Sequence, residues 1–122
     1  MVDVICDTNF LIHLATKRIK NFYNLHIDIG EINFVVPTVV KNELEKLEKI
    51  QSKNNDILLT LNFIKNLNSI CLPGTFADQE LINYAKKNKI IIATLDKQLK
   101  RHIKQLGSSI ISIHNNNIIL EN

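Results

Sequence analysis

Four acids stand where a folded chain could bring them together: Asp7, Glu43, Asp78 and Asp96. Asp7 follows Val2-Asp3-Val4-Ile5-Cys6, and Asp96 follows Lys89-Ile90-Ile91-Ile92-Ala93-Thr94-Leu95. Val2–Cys6 and Lys89–Thr94 read as strands. In open α/β sheets ligands bind beyond the carboxyl ends of the strands. Two aspartates at strand ends would face one crevice if their strands were neighbours. Glu43 and Asp78 fall on helices. At ~100° per residue, Glu43 projects into an apolar stripe of Val39, Val40, Leu44, Leu47 and Ile50. Asp78 projects into a stripe of Ala77, Leu81, Ile82, Tyr84 and Ala85. Each acid also has a plainer reading. Asp7 and Asp96 suit helix N-caps, and Thr75 with Asp78 fits a capping box. Glu43 could snorkel or form an ion pair. Jointly, four acids aimed at one end of a small sheet would repel one another without compensation. One or two hard cations, Mg²⁺ or Mn²⁺, resolve that through carboxylate oxygens. The corresponding chemistry is metal-assisted hydrolysis of a phosphodiester. Neither cysteine pairs with a histidine at zinc-ligand spacing.

Basic residues could frame such a site. Lys97, Lys100, Arg101 and Lys104 follow Asp96 on a helix, mainly off its apolar stripe of Leu99, Ile103 and Leu106. They read as a solvated face or as a phosphate-binding rim. Lys17, Arg18 and Lys20 would form the opposite rim. Cations there would steer a polyanion toward an acidic pocket that otherwise repels it. His13, His102 and His114 carry no clear signal. The chain lacks a G-x-x-x-x-G-K loop, a G-x-G-x-x-G fingerprint and a nucleophile elbow, which disfavours nucleotide-driven chemistry and NAD binding.

The elements that must position these residues alternate between strand and helix. Helices are expected over Thr8–Ala15 and residues 18–28. After a strand over Asn33–Val36, further helices follow over Thr38–Ser52 and Asn54–Leu67, with a turn at Ser52–Asn55. Ser69–Leu72 reads as a strand and Phe76–Asn88 as a helix. Lys89–Thr94 carries the strongest strand signal, and its isoleucine run suits a central strand buried on both faces. A helix over Asp96–Leu106 ends at Gly107, the usual residue past a helix end. Ser109–His114 is a strand, Asn115-Asn116-Asn117 a turn, and Ile118–Leu120 an edge strand. This alternation predicts an α/β fold with a central, mostly parallel sheet and helices on both faces.

At 122 residues, residues 1–122 read as one domain. A net charge of +3 permits a nucleic-acid partner without requiring one. Aromatic residues make up only 6% of the chain, which disfavours recognition through stacking platforms. Cys6 and Cys71 read as two buried, reduced thiols. No secretory leader is evident, and no apolar run approaches the ~20 residues that cross a bilayer. A soluble cytoplasmic protein without a membrane partner is expected.

Asp7-Thr8-Asn9 after a first strand, Val36-Pro37-Thr38 leading to Glu43, Ala77-Asp78, and Ala93-Thr94-Leu95-Asp96 together resemble the PIN-domain ribonucleases. The resemblance covers almost the whole chain. It implies a Rossmann-like α/β/α sandwich and a Mg²⁺- or Mn²⁺-dependent nuclease acting on RNA. Asp7, Glu43, Asp78 and Asp96 fall on the family's acidic positions, and Asn9 and Thr94 on polar positions that support the site. The segment from Thr94 to Arg101 looks closest to the archaeal and rRNA-processing branch, whereas the compact length also suits toxin nucleases. Gln79 and Leu95 depart from the rRNA-processing pattern. An antitoxin or a ribosome-assembly factor is the corresponding protein partner, and homodimers are common in the family. The main rival reading is a non-catalytic PIN-fold RNA-binding or scaffold module, against which the four intact acids argue; a second is a metal-dependent phosphatase of receiver-like or hydrolase topology, which an inward Glu43 on an early helix fits less well.

Overall fold

The computed structural model describes residues 2–20, 31–50 and 55–121. These residues form a six-stranded sheet of β1 (Val2–Cys6), β2 (Ile32–Pro37), β3 (Asn68–Ile70), β4 (Ile91–Ala93), β5 (Ser109–His114) and β6 (Asn117–Glu121). The order is β3-β2-β1-β4-β5-β6. Every pairing is parallel except β5 with β6. The described helices are α1 (Thr8–Thr16), α2 (Thr38–Ile50), α3 (Asn55–Ile64), α4 (Ala77–Lys87) and α5 (Lys97–Gln105). None is long and apolar enough to cross a membrane.

Successive strand residues point to opposite faces, and the two faces bury different helices. Ile5, Val35, Ile92 and Ile110 stand in one row across four strands. They pack with Leu81 and Ala85 of α4 and Leu99 and Ile103 of α5. Val4, Cys6, Phe34, Val36, Ala93 and Ile111 face the other way, toward buried residues of α1, α2 and α3. Phe10 of α1 meets Phe34 there, ring centroids 5.8 Å apart. The result is an α/β/α sandwich.

Several expectations need correction. Lys89–Thr94 yields only three strand residues, because both neighbouring ladders run no further than Ile91 to Ala93. Ile50 is 78% exposed rather than part of a buried stripe, since α2 buries Val39, Val40 and Leu44 in its first two turns, keeps Leu47 half-buried against the core and has Ile50 as its last residue. Leu106 is likewise partly exposed as the C-cap of α5. Cys6 is buried, but Cys71 is exposed just past the short edge strand β3. Residues 18–20 are not helical, and the remainder of the helix expected over residues 18–28 lies outside the described residues. So does the expected turn before Asn55, which itself begins α3.

The β5–β6 turn is two residues long. Asn115 and Asn116, at φ 50° and 59°, join the paired residues His114 and Asn117. Two left-handed residues are what a type I′ hairpin needs, and asparagine tolerates that region better than other non-glycine residues. Asn115→Gly is expected to hold or raise stability, whereas Asn115→Val should lower it by about 1–2 kcal/mol. Urea denaturation of the two variants checks this contrast.

Candidate active site

The strand order reverses at β1, whose neighbours are β2 on one side and β4 on the other. A sheet opens a crevice at that point, because the connecting helices leave toward opposite faces. The chain places Asp7 just past β1 and Thr94 and Asp96 just past β4. Backbone bonds hold the two exits together: Asp7 N donates to Ala93 O at 2.8 Å, and Thr94 N to Ile111 O at 3.1 Å.

Asp7 is buried and caps α1, its Oδ1 accepting from Thr8 N at 2.8 Å. Its Oδ2 accepts from the Thr94 hydroxyl at 2.9 Å. Thr94 is fully buried, and its Oγ1 accepts in turn from Asp96 N at 3.1 Å. Asp96 caps α5 through Oδ1, which accepts from Gln98 N and Leu99 N. Its Oδ2 takes no hydrogen bond among the described residues, so capping leaves half of the carboxylate available. The cap reading holds for both aspartates, and capping by itself leaves an oxygen of Asp96 open to a further partner.

Burial is the main force that raises the Asp7 pKa, and the negative charges of Glu43 and Asp96 push it the same way. The hydrogen bonds from Thr8 and Thr94 only partly offset this. Glu43 is half-buried on α2, one turn after the buried Val39. The start of α2 is clasped to the chain beyond β3: Leu72 N donates to Thr38 Oγ1 at 2.9 Å, and Val39 N to Leu72 O at 3.2 Å. That clasp fixes where Glu43 stands.

Asp78 differs from its expected place. It is exposed, because the buried stripe of α4 is Ala77, Leu81 and Ala85, and Asp78 lies a step around the helix from it. The capping box does not form either. Phe76 is the N-cap without a side-chain bond, and Asp78 Oδ1 accepts from Gln79 N at 2.9 Å. Asp78 instead lines a cleft of about 190 Å³ between α4 and α5 together with Asp96, Ile82 and His102. Thus Asp7, Glu43 and Asp96 form one electrostatic neighbourhood, and Asp78 joins it through Asp96.

None of these four acids has a cationic side chain within ion-pair distance among the described residues, where the salt bridges are Lys100 and Lys104 to Glu121. The uncompensated charge and all-oxygen donor set fit a hard divalent ion. Among the described residues, however, no three acidic, histidine or cysteine side chains are already gathered as a ligand set. The acids share a crevice without forming a closed cage. The buried Thr8 Oγ1, beside Asp7, also has no hydrogen-bond partner among the described residues.

Asn9 is exposed in the first turn of α1. Lys97 and Arg101 are exposed on α5, and Lys17 and Arg18 beyond the end of α1. Lys100 is partly buried, with its ammonium 3.0 Å from Glu121 Oε2 of β6. Sequence reading missed this pairing, since nothing in the spacing of residues 100 and 121 marks it.

A sequence model of the family described as "PIN like domain" matches residues 4–116. Ribonuclease VapC4 of Methanocaldococcus jannaschii is 32% identical over 111 residues, covering 86% of this chain and 85% of that protein. Ribonuclease VapC9 of Archaeoglobus fulgidus is 31% identical over 105 residues, covering 84% and 76%. Among solved structures, the PIN domain endonuclease Utp24 superposes with a TM-score of 0.78 at 29% identity, over 98% of this chain and 90% of that one.

The raised Asp7 pKa has a stability consequence. A carboxyl whose pKa is higher in the folded than in the unfolded chain favours the protonated fold, so stability falls as pH rises through that interval. Asp7→Asn keeps the N-cap oxygen and removes the charge. In EDTA the stability of the variant relative to the parent should rise from acid to neutral pH, where the parent alone carries the buried charge. Paired urea titrations across this range measure the difference, and a difference that stays level or falls contradicts the expectation.

Proposed function

As the chain belongs to the PIN-domain ribonuclease family, we propose that it is an endoribonuclease that hydrolyses RNA phosphodiester bonds with one or two Mg²⁺ or Mn²⁺ ions. The observation that carries this reading is the buried Asp7 carboxylate, facing the charges of Glu43 and Asp96 at the sheet's reversal point without a cationic partner among the described residues. Asp7, Glu43 and Asp96 would hold the metal, with Asp78 contributing from the rim of the adjoining cleft. When bound, such an ion activates water and offsets charge on the departing oxygen. The side chains supply the order. Thr94 fixes the Asp7 carboxylate in rotation and couples it to the Asp96 backbone. Asn9, exposed two residues past Asp7, would support the site from the first turn of α1. Lys97 and Arg101 beside Asp96, and Lys17 and Arg18 beyond α1, would hold the phosphate backbone. Lys100 adds less to this, because Glu121 already shares its charge.

The ribonuclease names of the two archaeal relatives support RNA as substrate. The chemistry is the same for a toxin-type nuclease and for one that processes ribosomal RNA. Copurification with an antitoxin or with a ribosome-assembly factor separates these roles.

Purified protein incubated with single-stranded and structured RNA should cut in Mn²⁺ or Mg²⁺ and not in EDTA. Asp7→Asn and Asp96→Asn should each lower the rate at least about a hundredfold, and Thr94→Val about tenfold or more through loss of orientation. Asp78→Asn should cost less than either, since that side chain is exposed. Cleavage that persists in EDTA or in both aspartate variants overturns the mechanism. RNA binding without any cleavage would replace it with a non-catalytic RNA-binding or scaffold module.

A further inference from the structure

A second groove, of about 700 Å³, opens where α1 ends, lined by Lys17, Arg18 and Lys20 with Phe63 and Asn116. Its position follows from the sheet register. Cys6, Ala93 and Ile111 stand level across β1, β4 and β5, at the carboxyl edge where Asp7 and Asp96 emerge. β5 continues three residues beyond that level to His114, which lifts the hairpin tip about 10 Å above the edge. The basic segment is fastened to this tip: Lys20 N donates to Asn116 O at 2.8 Å, and His13 Nε2 lies 3.3 Å from Asn116 Oδ1. Lys17 N also closes onto His13 O at 2.9 Å. The groove therefore sits at the same end of the sheet as the acids. The nine residues of α1 separate Lys17 from Asp7, ten steps or about 15 Å at helical rise.

We propose that this groove holds the single-stranded RNA flanking the cleaved bond, so that the enzyme prefers substrates long enough to reach it. The inference rests on the nuclease reading above. Lys17, Arg18 and Lys20 are exposed, and none is paired with a carboxylate among the described residues. Three exposed cations within four residues, with no carboxylate partner among the described residues, supply what a phosphate backbone requires: positive charge at closely spaced points beside the candidate site. The anchoring to the hairpin presents these cations in a fixed place, unlike a loose lysine run. At ~3.4 Å per stacked nucleotide, 15 Å corresponds to roughly four nucleotides.

The test uses labelled single-stranded RNAs that share one cleavage site and extend two or eight nucleotides beyond it, on the 5′ or the 3′ side. Parent protein is compared with Lys17→Gln/Arg18→Gln/Lys20→Gln, whose altered side chains are all exposed and should not disturb folding. For the parent, the ratio of kcat/KM on long to short RNA should be about tenfold for one of the two sides, and the triple variant should bring it near one. In EDTA, binding of the long RNA should show a log K against log salt slope about 2 units shallower in the variant. A length preference that survives the triple substitution overturns the proposal, as does a parent without length preference. If the parent cuts no RNA, the nuclease reading has failed, and the binding measurement still decides the groove. An unchanged salt slope there overturns it, as does tighter binding of polyglutamate than of RNA.

Discussion

A carboxylate buried at the sheet's point of reversal is the constraint on which the rest of the site depends. Asp7 cannot turn to solvent, because its backbone N–H is held by Ala93 and its side chain caps α1. Both carboxylate oxygens take protein hydrogen bonds, yet no positive side chain answers the charge among the described residues. Two hydrogen bonds soften the burial of a charge without cancelling it. The neighbouring Glu43 and Asp96 make the position worse for the apo protein. A fold selected for stability alone would place a neutral residue here. The strain is of the kind that sites of chemistry retain and that the surrounding core must outweigh.

The core does so in a way that leaves the acids few other positions. β1 and β4 lie in the middle of the sheet, and their side chains face helices on both sides. Val4, Cys6, Ile92 and Ala93 are fully buried. Polar chemistry cannot be placed within such strands, so it collects immediately past their ends, where the backbone turns into helices. The turn past β4 is tight: Thr94 satisfies Asp7 with its hydroxyl hydrogen and Asp96 N with its oxygen lone pair. A valine of the same shape would leave both without this partner. Glu43 reaches the crevice by a separate route, through the clasp of Thr38 on Leu72 that ties α2 to the chain beyond β3.

Much of this arrangement was legible in the sequence because it depends on local period and on strand ends. Asp7 and Asp96 could be read as strand-end acids, and Glu43 as a charge on a stripe that also carries Val39 and Val40. Their convergence needed the pairing of β1 with β4, which no local pattern encodes. Asp78 was misread because a helical projection shows only the helix's own apolar side. How much of that side is covered depends on the neighbours, which bury Ala77, Leu81 and Ala85 but leave Ile82 half-buried and Asp78 exposed. Ile50 failed for the same reason at the other end of a helix. The hydrogen bond from Thr94 to Asp7 joins residues 87 positions apart. It was accessible only as a resemblance to a family pattern, and the partner of Lys100 was not accessible at all.

That last pairing divides the work of α5. Lys100 and Lys104 are one helical turn apart and both meet Glu121 on β6, Lys100 at 3.0 Å and Lys104 at 3.4 Å. Lys100 holds the Glu121 carboxyl below the usual carboxylate range. Lys97 and Arg101 have the same spacing but face solvent, with no carboxylate partner among the described residues. The row of cations that follows Asp96 in the sequence is therefore two stripes with separate consequences. One ties the helix to the antiparallel edge of the sheet, where a six-residue and a five-residue strand meet. The other leaves positive charge beside the acids. Because Glu121 offsets one of the two charges of the inner stripe, the unpaired positive charge of α5 lies mainly on Lys97 and Arg101. Together with the basic segment that the β5–β6 hairpin holds beyond α1, these exposed cations offset part of the negative potential that the clustered carboxylates impose.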